Sequence, residues 1–139
     1  NDYWAELSVS FPRPEDGILL VPAGSRMSRL ESDYEAPANG YTSRWTFVTS
    51  SSLDKVESVS PGAFNAYFRV RTVTDDAGSI AKAWYGKMYG ALQLGLPYLR
   101  QVDLLFTYYV NPDGSRWVEF DPARNIFDTQ EPAGEVLRP

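Results

Sequence analysis

Residues 64–73 and 80–89 constrain this chain more than any other feature. In both runs the side chains alternate with a period of two, and between them lies a short linker ending Asp75-Asp76-Ala77-Gly78. Period-two alternation places successive side chains on opposite faces of a strand. A short loop ending in Gly predicts a hairpin, with Gly78 in the left-handed position of a three-residue loop and its G1 bulge. Counting back from Asp75 opposite Ser79 sets Val70 opposite Trp84, Arg69 opposite Tyr85, and Tyr67 opposite Lys87. Charge then suggests the faces: Phe68, Val70, Trp84 and Met88 inward, and Tyr67, Arg69, Arg71, Tyr85, Lys87 and Tyr89 outward.

The same reading extends along the chain. Residues 3–11 alternate Tyr3, Ala5, Leu7, Val9 and Phe11 against polar neighbours, which predicts a first strand with one buried face. Pro12, Pro14 and Gly17 break it, and residues 17–21 form a short second strand ending at Pro22. Residues 43–49, with Trp45, Phe47 and Thr49 on one side, read as another strand, and the polar stretch 51–63 reads as a loop. Between 23 and 41 the pattern fits either a short helix capped by Ser25, carrying Met27, Leu30 and Tyr34, or irregular strand. Pro97 interrupts any helix within 90–100.

Residues 102–110 and 116–120 predict a second hairpin around Asn111-Pro112-Asp113-Gly114. With Gly114 as the left-handed bulge residue, Tyr109 stands opposite Trp117, Tyr108 opposite Val118, and Phe106 opposite Phe120. Leu104, Phe106, Tyr108, Val118 and Phe120 are then expected in the core. Asp103, Leu105, Thr107, Tyr109, Trp117, Glu119 and Asp121 share the wetter face.

Short strands punctuated by Gly and Pro, without a long amphipathic helix, predict an all-β fold. The expected architecture is an antiparallel β-sandwich of about seven to nine short strands with at most one short helix, a small β-barrel being the alternative. At 139 residues the chain suits one domain, expected over 1–127, with a loosely attached tail over 128–139.

Composition narrows the chemistry. The chain has neither Cys nor His, so its own residues cannot build a Ser-His-Asp triad, a Cys-His dyad, a thiolate metal site or an imidazole shuttle. Carboxylate pairs, Ser or Tyr with Lys, and oxygen-ligated Ca²⁺ or Mg²⁺ remain. A net charge of −5 and a pI near 4.7 argue against nonspecific binding to nucleic acid or anionic membrane. No apolar run is long enough to cross a bilayer as a helix. A first residue Asn1 in place of Met suggests a processed precursor or a trimmed chain, and with the composition it leads us to expect a secreted, periplasmic or cell-surface protein of bacterial origin.

Two aromatic sets stand out as ligand-binding candidates. Tyr67, Arg69, Arg71, Tyr85 and Lys87 could meet an anionic or sugar ligand, because Arg forks carboxylates and rings stack on sugar faces. The plainer reading is ordinary cross-strand decoration of a sheet. Tyr109 and Trp117 with Glu119 and Asp121 could form a ring platform beside acceptor carboxylates, or simply cover the sheet. Among Asp103, Glu119 and Asp121 a glycosidase would need two carboxylates around a cleft. Asp75, Asp76, Asp113, Asp121 and Asp128 match no calcium-loop spacing, and turns select Asp for their own backbone bonds. The chain therefore reads as a noncatalytic binding module with no cofactor and no metal, recognising a glycan or another surface partner. Alternatives are a domain packed in a larger assembly or homo-oligomer, and a small-ligand barrel or carboxylate glycosidase.

Overall fold

The hairpin around Gly78 forms in the expected register. Asp75 N–H donates to the Ser79 carbonyl at 2.9 Å, Gly78 N–H donates to the Asp75 carbonyl at 3.0 Å, and Gly78 has φ +78°. The Asp75 carboxylate also accepts the Ala77 and Ser79 N–H groups. Val70 pairs with Trp84, Arg69 with Tyr85 and Tyr67 with Lys87.

The computed structural model describes residues 4–22, 33–50, 64–98, 101–119, 121 and 123. Within them lie six strands: β1 (Trp4–Ser10), β2 (Gly17–Pro22), β3 (Arg44–Ser50), β4 (Phe64–Thr74), β5 (Ile80–Tyr98) and β6 (Gln101–Asn111). No α-helix occurs among the described residues. The expected loop 51–63, the helix alternative from Ser25 and the tail 128–139 lie outside them, as does Phe120.

β1 and β3 make a two-stranded antiparallel sheet in which Leu7 faces Phe47 and Val9 faces Trp45. Glu6, Ser8 and Ser10 are exposed, as their alternation requires. A second antiparallel sheet has the order β2-β4-β5-β6, and the two sheets pack together. The Phe11 N–H donates to the Ser43 carbonyl and prolongs the β1–β3 ladder, and a reciprocal backbone pair between Ile18 and Thr42 joins β2 to the segment before β3. β5 runs through the ambiguous region to Tyr98. Its register shifts between Gly95 and Tyr98, so Pro97, which has no N–H, sits where the ladder is irregular.

The faces of β4 and β5 are the reverse of those expected. Tyr67, Arg69, Tyr85 and Lys87 are buried, whereas Phe68, Val70, Trp84 and Met88 are only partly buried. Tyr67, Ala83 and Tyr85 join Ala36 and Val118 in a buried cluster against which Leu19, Val21, Tyr41 and Ile80 pack. Alternation is a sound guide to which residues share a face. Charge is a poor guide to which face is covered, because the stems of Arg and Lys are apolar and their heads can reach carbonyls or carboxylates. Arg71 leaves the pattern altogether. It has φ +56° at a β-bulge between Val70 and Val73, is exposed, and lies over the Trp84 ring at 4.0 Å. The buried Asp16 carboxylate holds this bulge by accepting the Arg71 and Thr72 N–H groups at 3.1 and 2.8 Å.

The second hairpin is not made. Gly114 is left-handed, with φ +90°, but the chain after it turns away from β6. The Asn111 amide donates to Ser115 Oγ and to the Trp117 carbonyl at 3.0 and 2.7 Å. Residues 116–118 then pair with 34–36: Ala36 N–H bonds the Arg116 carbonyl and Val118 N–H bonds the Tyr34 carbonyl. Val118 is buried as expected, but Phe106 and Tyr108, expected in the core, are 41% and 49% exposed.

Gly86 is the closest approach in the large sheet. It faces Phe68 on one side and Val110 on the other, and a Cβ there would collide with the Phe68 ring and the Tyr109 carbonyl oxygen. The ring can move but the backbone cannot. Gly86→Ala should therefore lower the unfolding free energy by about 2 kcal/mol or more in urea titration; an unchanged midpoint would contradict this packing.

Candidate functional site

Arg69 is central to the buried face of the large sheet. Its Nε donates to the Glu15 carbonyl at 2.7 Å, Nη1 to the Ala38 carbonyl at 3.1 Å, and Nη2 to the Glu15 carboxylate at 3.4 Å. Its guanidinium also lies 4.6 Å from the centre of the Tyr41 ring. These bonds draw the loop before β2 and the segment before β3 onto β4. Tyr67 does similar work, its hydroxyl donating to the Asp33 carbonyl at 2.8 Å. Of the five residues in the first predicted set, Tyr67, Arg69, Tyr85 and Lys87 are thus brought together, but inside the fold.

Lys87 is 1% exposed. Burial pushes its ammonium below the ordinary 10.5, and the Glu119 carboxylate opposes that shift. Tyr41 is held above its ordinary 10.0, first by burial and then by Tyr85, against the pull of Arg69 and Arg116. Its hydroxyl stays protonated and donates to the Pro37 carbonyl at 2.9 Å.

Above the buried cations a polar groove of about 610 Å³ opens between the two turns, reaching Gly78 at one and Gly114 at the other. Arg69, Lys82 and Arg116 line it against a single carboxylate, Glu15. Tyr41 and Tyr85 also line it, their rings 6.4 Å apart and edge to face. Arg116 donates to the Ala36 carbonyl and pairs with Glu35. Sequence reading missed Glu15, Tyr41, Lys82 and Arg116, since only the pairing of 116–118 with 34–36 brings Arg116 to this place.

A second, different surface lies on the opposite face of the same sheet. Phe106, Tyr108 and Val110 of β6 are exposed. Tyr108 contacts Phe106 and Phe68, with centroids 5.8 and 6.4 Å apart. These rings form one apolar strip next to the sheet's edge.

The second predicted set does not assemble. Tyr109 is half-buried on the Lys87 side of the sheet, opposite Lys87 in the β5–β6 ladder. Trp117 is 50% exposed and packs instead on Tyr34, itself 56% exposed, at 4.8 Å between centroids. Glu119 and Asp121 are exposed, and the Asp121 carboxylate accepts the Ala123 N–H at 2.9 Å. Asp113 likewise accepts the Ser115 N–H. Among the described residues no three acidic side chains converge to hold a metal.

Burial of Lys87 has a pH signature. Because its folded value lies below 10.5, the penalty for burying its charge is complete below that folded value and is relieved as pH rises from there towards 10.5. The urea midpoint of the native chain should rise relative to that of Lys87→Met as pH climbs from about 7 towards 10.5. Parallel pH profiles would refute the burial of this amine. Tyr41 acts oppositely above 10.0, where stability falls as pH rises, but it does so in both proteins and cancels in their comparison.

No family model, no curated protein and no solved structure matches this chain.

Proposed function

We propose that this chain is a noncatalytic assembly module that docks its open sheet face and the β6 edge against β6 of a second copy. The observation that carries this reading is the exposed strip of Phe106, Tyr108 and Val110 on a strand paired on only one side among the described residues. Long edge strands are normally protected by charges, prolines or bulges. Residues 104–110, Leu-Leu-Phe-Thr-Tyr-Tyr-Val, contain none of the protective residue types. The strand expected to cover that edge pairs with 34–36 instead.

Self-pairing is compatible with the charges. In an antiparallel pairing centred on Thr107, Phe106 of one copy stands opposite Tyr108 of the other, and Asp103 stands opposite Asn111. No like charges meet. Aromatic cross-strand pairs of this kind each contribute up to about 1 kcal/mol. The noncatalytic part of the reading is supported by the use made of the acids: Asp16, Asp75, Asp113 and Asp121 hold backbone N–H groups, and Glu15 and Glu35 pair with arginines.

One observation favours a second reading, recognition of a glycan. The Tyr34–Trp117 pair is exposed, its rings in contact at 4.8 Å between centroids and tilted by 45°, and such rings suit the apolar face of a sugar.

Sedimentation equilibrium tests the assembly reading. The native chain should show a monomer–dimer equilibrium by about 100 µM, in the weak range expected of a small interface. Tyr108→Lys, at an exposed position, should remain monomeric with its thermal midpoint little changed. A native chain that stays monomeric, or a dimer indifferent to Tyr108→Lys, would overturn the proposal.

A further inference from the structure

We propose that the groove between the Gly78 and Gly114 turns binds an acidic saccharide, one carrying carboxylate or sulfate groups. This rests on a face of the sheet separate from the assembly surface. The charge of the groove runs against that of the molecule: Arg69, Lys82 and Arg116 line it, Arg69 is paired with Glu15 and Arg116 with Glu35, and Lys82 is left as the excess positive charge, in a chain of net charge −5. Local positive potential in an acidic protein is an attractor for anions.

The donors divide into two kinds. Arg69 is buried and bound to Glu15 and Ala38, so its role is to fix the wall. Lys82 is exposed, and its side chain forms no hydrogen bond or ion pair among the described residues. Arg116 is partly exposed and uses two of its five N–H donors on Ala36 and Glu35. Ser79 and Asn39 add exposed polar side chains to the same lining. Uncommitted donors at the rim and a rigid floor are the arrangement that fixes an anion without unfolding anything to reach it.

A saccharide suits the lining better than an acidic peptide does. The groove volume of about 610 Å³ lies within the range of small-ligand sites. Its apolar side chains, Ala38, Ile80, Ala81 and Ala83, are outnumbered by side chains with polar groups, which suits a ligand rich in hydroxyls. Tyr41 contributes a half-buried ring to the wall, against which a sugar face can pack while hydroxyls meet Ser79 and Asn39.

Isothermal titration calorimetry of the full chain decides the matter, using tri-galacturonic acid, a sulfated disaccharide, neutral cellotriose and hexaglutamate as probes. The expected result is one site per chain for at least one acidic saccharide, weakened by added salt and weakened about tenfold or more by Lys82→Glu. Cellotriose should not bind measurably. Lys82→Glu changes an exposed side chain, so an unaltered thermal midpoint will show that lost binding is not lost folding. The proposal is overturned if neither acidic saccharide binds at millimolar concentration, if Lys82→Glu leaves binding intact, or if hexaglutamate binds as tightly as the sugars. Repeating the titration with Tyr108→Lys separates the two proposals, because a site in the groove is indifferent to that change.

Discussion

The Arg69 guanidinium is the tie on which the rest of this molecule depends. From the middle of β4 it reaches the carbonyls of Glu15 and Ala38 and stacks on Tyr41. Those three contacts belong to two segments with little regular structure of their own. A buried cation is tolerated only when its donors are satisfied, so the segments and the arginine hold one another in place. Once 33–41 lies on the sheet, its backbone presents Tyr34 and Ala36 to residues 116–118, and Val118 can enter the core beside Tyr67 and Tyr85.

That chain of dependence also explains the working surfaces. Residues 116–118 are drawn to 34–36, so they do not close over β6, and Phe106 and Tyr108 are left open. The same displacement carries Arg116 to the rim of the groove and leaves Trp117 packed against Tyr34. One tertiary commitment thus produces an apolar strip on one face of the sheet and a polar, cation-lined groove at the other. The two surfaces have different physics, apolar burial in one case and charge-assisted hydrogen bonding in the other, and they can act independently.

Much of the local structure was legible in the residues. Alternation marked β1, β3, β4 and the start of β5, a short apolar run ending at Pro22 marked β2, residues 102–110 were read as the strand that is β6, and the Gly78 loop fixed the Val70–Trp84, Arg69–Tyr85 and Tyr67–Lys87 pairs. The sidedness of the sheet was not legible. Both faces of β4 and β5 carry aromatic rings, and the choice between them is made by the 33–41 and 116–118 segments, whose positions depend on contacts distant in sequence. The turn at Gly114 was likewise readable, but its outgoing strand was not. Asn111 spends its amide on Ser115 and Trp117, and that bonding steers the chain away from the ladder that turn chemistry alone implies. Of the candidate site residues, only the clustering of Tyr67, Arg69, Tyr85 and Lys87 on one face was foreseen, and its location in the interior was not.

Covalent labelling of lysines tests this arrangement most directly. Lys82 and Lys87 lie five residues apart on β5, yet one is exposed and the other is 1% exposed. With an amine-reactive reagent and peptide mass spectrometry, the native chain should be modified at Lys82 and protected at Lys87, and both should react after denaturation in urea. Equal labelling of the two in the native chain would place the cationic face of β4 and β5 in solvent, and would contradict a fold built around a buried Arg69.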